Sequence, residues 1–286
     1  MTTGNNQKGH WQRLIVSIVG GVVLAAPVDA RESELHTFHC LQGCPIGAPA
    51  TNDIIVREIY TLSSNDLTKL ADWVAYRVTP DSIGASGERQ WSRDPWLSED
   101  ETLGPDAYEG ANKALHVDRG HQAPLASFSG TPYAADTNIL SNITPQSTAL
   151  NQGPWVKLED KERSLARQAQ TAVYVYTGPL FERMMRPLPE GGTYQRTPSG
   201  YWKVIALADG RASAFVFDQN TPRKADYCDA RVSLVHLELR SRLILFPEAH
   251  DHPGSLDADL GCTSQPPEDP APDQISPERK HAQKGE

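Results

Sequence analysis

The sequence has few features of a membrane protein and none of the common nucleotide-phosphate signatures. Beyond residue 26 no apolar run approaches the ~20 residues that a helix needs to cross a bilayer. It contains no Gly-x-Ser-x-Gly, no Gly-x-x-x-x-Gly-Lys-Ser/Thr and no Gly-x-Gly-x-x-Gly. Nucleophile-elbow hydrolases, P-loop kinases and dinucleotide-dependent dehydrogenases are therefore unsupported. Neither His-Glu-x-x-His nor Cys-x-x-Cys occurs, so these local zinc signatures are missing. Positive charge is also short. Lys and Arg total 27 against 36 Asp and Glu, a net charge of −9, which repels polyanions at long range. Any recognition of phosphate has to come from a locally basic cleft.

What remains is ordinary globular composition, with 38% hydrophobic and 22% charged residues in 286, enough for one large domain or two small ones. At the N-terminus Lys8 and Arg13 precede an apolar run, Leu14 to Ala26, of about 13 residues, and Val28-Asp29-Ala30 ends in a small residue suited to cleavage. Residues 1–30 thus read as a signal peptide, giving a secreted or periplasmic product with no membrane partner. Four cysteines in an exported chain read as two disulfides, with three pairings open. The closeness of Cys40 and Cys44 favours a local staple, and Cys228 and Cys262 would then close a longer loop.

Strand patterns recur along the chain. Asn52 to Leu62 is rich in β-branched residues, and Ala71 to Thr79 sorts Trp73, Ala75 and Arg77 against Val74, Tyr76 and Val78; the two read as antiparallel neighbours. From Pro80 to Gly110 the chain is polar and broken by Pro, Gly and Ser, a long surface excursion carrying Arg89 and Trp91. A short alternating run, Ala114 to Val117, reads as a strand leading into Asp118-Arg119-Gly120-His121. A helix is expected from about Gln152 to Ala169, with Asn151 as N-cap, Leu158 and Leu165 in its apolar stripe and Glu159 to Arg163 as a charged face. Strands follow at 172–179, 201–207 and 212–217, then a helix at 231–242. The Pro-rich, charged stretch at 263–286 reads as a disordered tail. Residues 31–262 would form one α+β domain.

Asp118, Arg119 and His121 crowd a carboxylate, a guanidinium and an imidazole into four residues. A histidine chosen at random is more often structural, but one beside a cation is pushed toward the neutral form that can accept a proton. Gly120 would supply the turn that lets Arg119 and His121 face one cleft. Asn151, Glu159 and Arg163 lie 8 and 4 residues apart, so on an unbroken helix Glu159 sits about 80° round from Asn151 and Arg163 about 40° further. Amide oxygen, carboxylate and guanidinium together suit a hard cation and a phosphodiester. The plainer reading of Glu159 and Arg163 is an i,i+4 surface pair worth ~0.3 kcal/mol, and that of Arg89 a solvated loop charge.

Asp118-Arg119-Gly120-His121 with Gln122 to Ala126, Leu140 to Gln146, Leu150 to Trp155 with Leu158-Glu159-Asp160, Thr177 to Leu180, Tyr201 to Ile205 and Phe217 to Pro222 resemble the DNA/RNA non-specific endonuclease family, the ββα-metal nucleases. The likeness runs from about Cys40 to Cys262; the loop before Arg89 is shortened, and the tail after Cys262 has no counterpart. It implies a central antiparallel sheet flanked by helices, with Cys40 paired to Cys44 and Cys228 to Cys262. It implies hydrolysis of DNA and RNA, with Mg²⁺ as cofactor, Mn²⁺ tolerated in its place, and a homodimer open. His121 would be the general base, Asn151 the protein ligand of one hydrated cation, and Glu159 the contact to water around it. Arg119, Arg163 and Arg89 would bind and stabilise the phosphate, Asp118 would orient the motif, and Asn142 would buttress it. A catalytically silent binding module, or a phosphodiesterase for another substrate, is the alternative.

Overall fold

A computed structural model describes residues 1, 35–85, 87–192, 195–249, 254–263 and 268–269. The expected signal peptide (apart from Met1) and nearly all of the expected tail lie outside these residues. The unit beginning at Glu34 carries every described element.

Ten strands occur among the described residues: β1 (Asp53–Val56), β2 (Tyr60–Asn65), β3 (Leu70–Val78), β4 (Val117–His121), β5 (Ile143–Ser147), β6 (Val173–Leu180), β7 (Gly200–Leu207), β8 (Arg211–Asp218), β9 (Arg231–Val232) and β10 (Gly254–Ser255). Eight of them form one sheet in the order β1-β2-β3-β6-β7-β8-β10, with β9 also on β8. Its pairs are antiparallel except for the two-residue β10 beside β8. The remaining pair, β4 with β5, makes a separate ribbon. The helices are α1 (Ala111–Leu115), α2 (Thr148–Leu150), α3 (Val156–Ala169) and α4 (Leu234–Ser241).

The period of two that marked the strands also sorts the core. Val74, Tyr76, Val78, Val173, Val175, Tyr201 and Ile205 pack in one cluster with Trp155, Leu158 and Leu165 from the α3 side. Their neighbours Trp73, Ala75, Tyr176, Trp202, Val204 and Ala206 pack in another with Leu237 of α4 and the segment Leu243 to Phe246. The sheet is therefore covered on both faces, which is why all eight residues of β7 are buried. This is the mixed α+β architecture with a central antiparallel sheet that the resemblance implied.

Several local expectations need correction. The run Asn52 to Leu62 is two strands, not one: the chain reverses at Arg57, whose N–H meets Tyr60 O at 2.9 Å, and β1 pairs β2 from Asp53↔Ser64 to Val56↔Thr61. No Gly or Pro marks that turn, so the β-branched run hid it. Residues 111–115 are helical and His116 (φ 55) ends the helix in the left-handed region, so the strand starts at Val117 and contains the whole Asp-Arg-Gly-His motif. Four alternating residues are too few to separate a strand from one helical turn. The excursion 80–110 is not all surface, since Asp94, Leu97, Leu103 and Tyr108 are buried, the last two in a satellite core with Val117, Leu140 and Ile143. The segment 231–242 opens as β9 before α4, which is capped by Ser233 Oγ accepting from His236 N.

The two disulfides pair Cys40 with Cys44 and Cys228 with Cys262, at Cα separations of 5.0 and 5.4 Å. Gly120 makes no turn. It lies inside β4, where an added Cβ would stand 2.7 Å from Gln146 Cβ and 2.8 Å from its Oε1. Gly120→Ala is expected to destabilise the fold by roughly 1–3 kcal/mol, the usual range for overpacking, and Gly120→Ala/Gln146→Gly, which removes the Cβ that the new methyl meets, to recover part of it. Urea unfolding of the two variants beside wild type measures both changes.

Candidate active site

One cleft of about 600 Å³ is lined by Arg89, Asp118, Arg119, His121, Asn151, Glu159 and Arg163, together with Trp91, Tyr108, Asn112 and Gln152. Chain order explains the gathering. Strand β4 carries Asp118 to His121, pairs with β5 in the register Arg119↔Pro145 and His121↔Ile143, and β5 runs through α2 into the helical segment that holds Asn151, Glu159 and Arg163. The ribbon is tied to the main sheet where Tyr201 Oη (2.7 Å) and Gln219 Nε2 (2.9 Å) donate to Pro145 O.

The helical segment is not the continuous one expected. Its cap is Ser147, whose Oγ accepts from Leu150 N. Asn151 already has helical φ, ψ (−56°, −49°), and a widened turn, Asn151–Trp155, follows, broken at Gly153 (φ −117°, ψ −116°). A Cβ on Gly153 would meet Arg223 O at 2.6 Å, so backbone packs where a side chain would be. The 100° arithmetic therefore does not carry Asn151 to Glu159; the break re-aims the first turn. The supposed charged face is also mostly interior, because Glu159, Glu162 and Arg163 are buried and only Asp160 is exposed.

Asp118 joins the halves. Its Oδ1 accepts from Asn112 Nδ2 (2.9 Å) and Thr148 Oγ1 (2.8 Å), and its Oδ2 from Asn151 Nδ2 (3.0 Å) and Gln152 Nε2 (2.9 Å). With its nitrogen committed to this carboxylate, the Asn151 amide has its oxygen left as the coordinating atom. Asn142 lies outside the lining and works from behind: Oδ1 accepts from Ala123 N (2.8 Å), while Nδ2 donates to Ala123 O (3.0 Å) and Thr137 O (2.8 Å), fixing the chain just after His121.

His121 Nε2 is 3.0 Å from Asn138 Oδ1. That contact favours the tautomer protonated at Nε2 and leaves Nδ1 basic. Burial lowers the imidazole pKa to about 4 against the Asn138 hydrogen bond, and the cation that assists is Arg89 rather than the adjacent Arg119. The ring lies 5.4 Å from that of Trp91. Arg119 is held between Trp91 (5.5 Å) and Tyr108 (5.2 Å) and donates from Nη2 to Pro105 O at 2.9 Å, while its Nε is buried without a partner. Arg163 donates to Ser127 Oγ (3.3 Å) and Asp160 Oδ1 (2.6 Å).

Burial raises the Glu159 carboxyl to about 7; Lys203 opposes the rise and Glu162 adds to it. Sequence reasoning missed Asn138, Tyr108 and the buried ion pair of Glu162 with Lys203. A motif-centred reading has no signal for the first two; for the third, the only trace was a lysine inside an otherwise apolar strand.

The model of the family described as DNA/RNA non-specific endonuclease matches residues 43–251. The chain belongs to this family. A nuclease of Serratia marcescens is 44% identical over 84% of this chain and 97% of its own length, and human mitochondrial endonuclease G is 34% identical over 56% and 57%. Among solved structures, a chain in the crystal structure of the EndoG/EndoGI complex superposes with a TM-score of 0.58 at 21% identity, covering 71% of this chain and 89% of that one, which is a likeness of fold. This non-specific endonuclease is accordingly a hydrolase of nucleic acids from a metal-dependent family. No helix among the described residues is long and apolar enough to cross a membrane.

The raised Glu159 carboxyl has a measurable consequence. Its folded pKa (about 7) exceeds the ordinary 4.5, so the folded state binds the extra proton and loses stability as pH rises across that window. In chelator, Glu159→Gln is expected to raise Tm relative to wild type at pH 8 and to lose most of that advantage at pH 5, as read by thermal denaturation at the two pH values.

Proposed function

We propose that this endonuclease cleaves both DNA and RNA, single- and double-stranded, to 5′-phosphorylated oligonucleotides with one hydrated Mg²⁺ held by Asn151. The observation carrying the proposal is the Asp118 carboxylate, which bonds the Asn151 amide from the strand that bears His121. Among the described residues three ligand-bearing His, Cys, Asp or Glu side chains approach one another only at Asp53, Asp66 and Glu101, none of which lines the cleft. A cleft offering one amide oxygen, with a carboxylate nearby, fits a cation that keeps most of its waters, as Mg²⁺ does, with Mn²⁺ tolerated. Bound there, the ion would supply charge neutralisation at the phosphate and the departing oxygen.

The protein's own groups do the rest. Nδ1 of His121 takes a proton from the attacking water, a contribution of about 10²–10⁴-fold for a positioned base. Arg89, Arg119 and Arg163 bind the phosphate and oppose its growing negative charge in the transition state. Glu159, which lines the same cleft, would hold water of the bound cation. Backbone recognition by arginines carries no base information, which supports indifference to sequence and sugar. The two disulfides favour an oxidising, secreted or periplasmic setting, and we extend the proposal to a homodimer.

His121→Ala is expected to lower cleavage of plasmid DNA and of RNA by at least 10²-fold, in line with the loss of a general base, with the circular dichroism spectrum unchanged; near-wild-type activity removes His121 as the base. Asn151→Ala is expected to shift the Mg²⁺ titration to higher concentration, and an unchanged titration removes Asn151 as ligand. A wild-type protein that binds the plasmid yet leaves it uncut with or without EDTA would be the silent binding module.

A further inference from the structure

Behind the cleft, on the face of the sheet that α3 covers, lies an ion pair with no solvent contact. Lys203 of β7 and Glu162 of α3 are both 0% exposed at their side chains, with Nζ 2.6 Å from Oε1. Tyr76 of β3 donates to the other oxygen, Oε2, at 2.8 Å, and Lys203 Nζ lies 3.4 Å from the Tyr76 hydroxyl. The ammonium also sits 4.4 Å from the centre of the Trp155 ring. None of these groups lines the cleft.

A buried ion pair contributes little net stability, because desolvating both charges offsets most of their attraction; an apolar pair of similar volume often serves the fold as well. What it does fix is geometry. Glu162 follows Glu159 by three residues and precedes Arg163, while Trp155 closes the widened turn that begins at Asn151. One ammonium on the rigid sheet thus touches both helical pieces that carry the second half of the site. Tyr76 packs edge-on to Phe128 at 5.9 Å, and the residue before Phe128, Ser127, accepts from Arg163. The contacts close a loop from the sheet through α3 and back.

We propose that Lys203, Glu162 and Tyr76 are positioning residues that set the rotation of α3 and the Asn151 turn against the sheet, so that Glu159, Arg163 and Asn151 converge on one phosphate. This rests on the cleft as described under Proposed function.

The test replaces the charges by apolar groups. Glu162→Leu/Lys203→Met is expected to keep Tm within a few degrees while kcat falls at least 10-fold and KM changes less than threefold; a purely structural pair predicts the opposite, a large loss of Tm with kcat kept in the folded fraction. Wild-type kcat in the folded double variant overturns the proposal. Should that variant not fold, Tyr76→Phe decides, because it removes the hydroxyl's two contacts, to Glu162 Oε2 and Lys203 Nζ, and keeps the pair: a two- to fivefold loss of kcat at constant KM supports positioning, and unchanged kcat overturns it. Glu159→Gln assayed beside them separates the two ideas, since full activity there would sink the cleft assignment itself, whereas lost activity with an unaffected double variant sinks only the positioning role.

Discussion

One carboxylate holds the site together. Asp118 accepts four hydrogen bonds from neutral donors, one in the segment before its own strand and three in the helical stretch that follows the partner strand. Two segments separated by about thirty residues thereby share a single anchor, and the groups they carry, an imidazole on one side and an amide oxygen on the other, face a common volume. With only uncharged donors around it, Asp118 is free of the competition that a nearby arginine would impose on its geometry, since a guanidinium would draw it into a forked pair.

That anchor works because the pieces around it are rigid for independent reasons. The β4–β5 ribbon is bound to the large sheet through Pro145 O, Asn142 locks the chain after His121 through both backbone groups of Ala123, and the helix is fixed from below by charges that see no water. The division resembles that of many enzymes, where reacting groups sit on short irregular stretches while extended elements determine where those stretches lie.

The sheet was largely legible in the sequence, because strands buried on one or both faces must alternate or run apolar, and 71–79, 172–179, 201–207 and 212–217 did so. The reversal at Arg57 was not, since a turn with no Gly, Pro, Asn or Asp leaves no compositional mark. The site was legible as chemistry but not as mechanics. Asp-Arg-Gly-His announced itself, yet Gly120 is small to admit Gln146 and not to make a turn. The helix start was misread because Asn151 is a good N-cap and a good ligand for the same reason, a short polar side chain; only Ser147 four residues earlier, with the break at Gly153, separates the two roles. Burial of Glu162 could not be read from a charged run, because partnering across the sheet is a long-range fact.

The Cys228–Cys262 bond closes a loop of 34 residues that contains β9, α4 and β10 and no residue of the cleft. On a chain-entropy account such a closure restrains the unfolded chain by roughly 4 kcal/mol. Its opening would release the outer edge of the sheet, where Tyr227 Oη otherwise donates to Leu260 O at 2.7 Å. The bond therefore contributes to the stability of the fold, while the cleft carries the chemistry. The closed loop also backs the helix that carries half of the site, since Cys228, Leu256, Leu260 and Cys262 share one core cluster with Trp155 and Leu158.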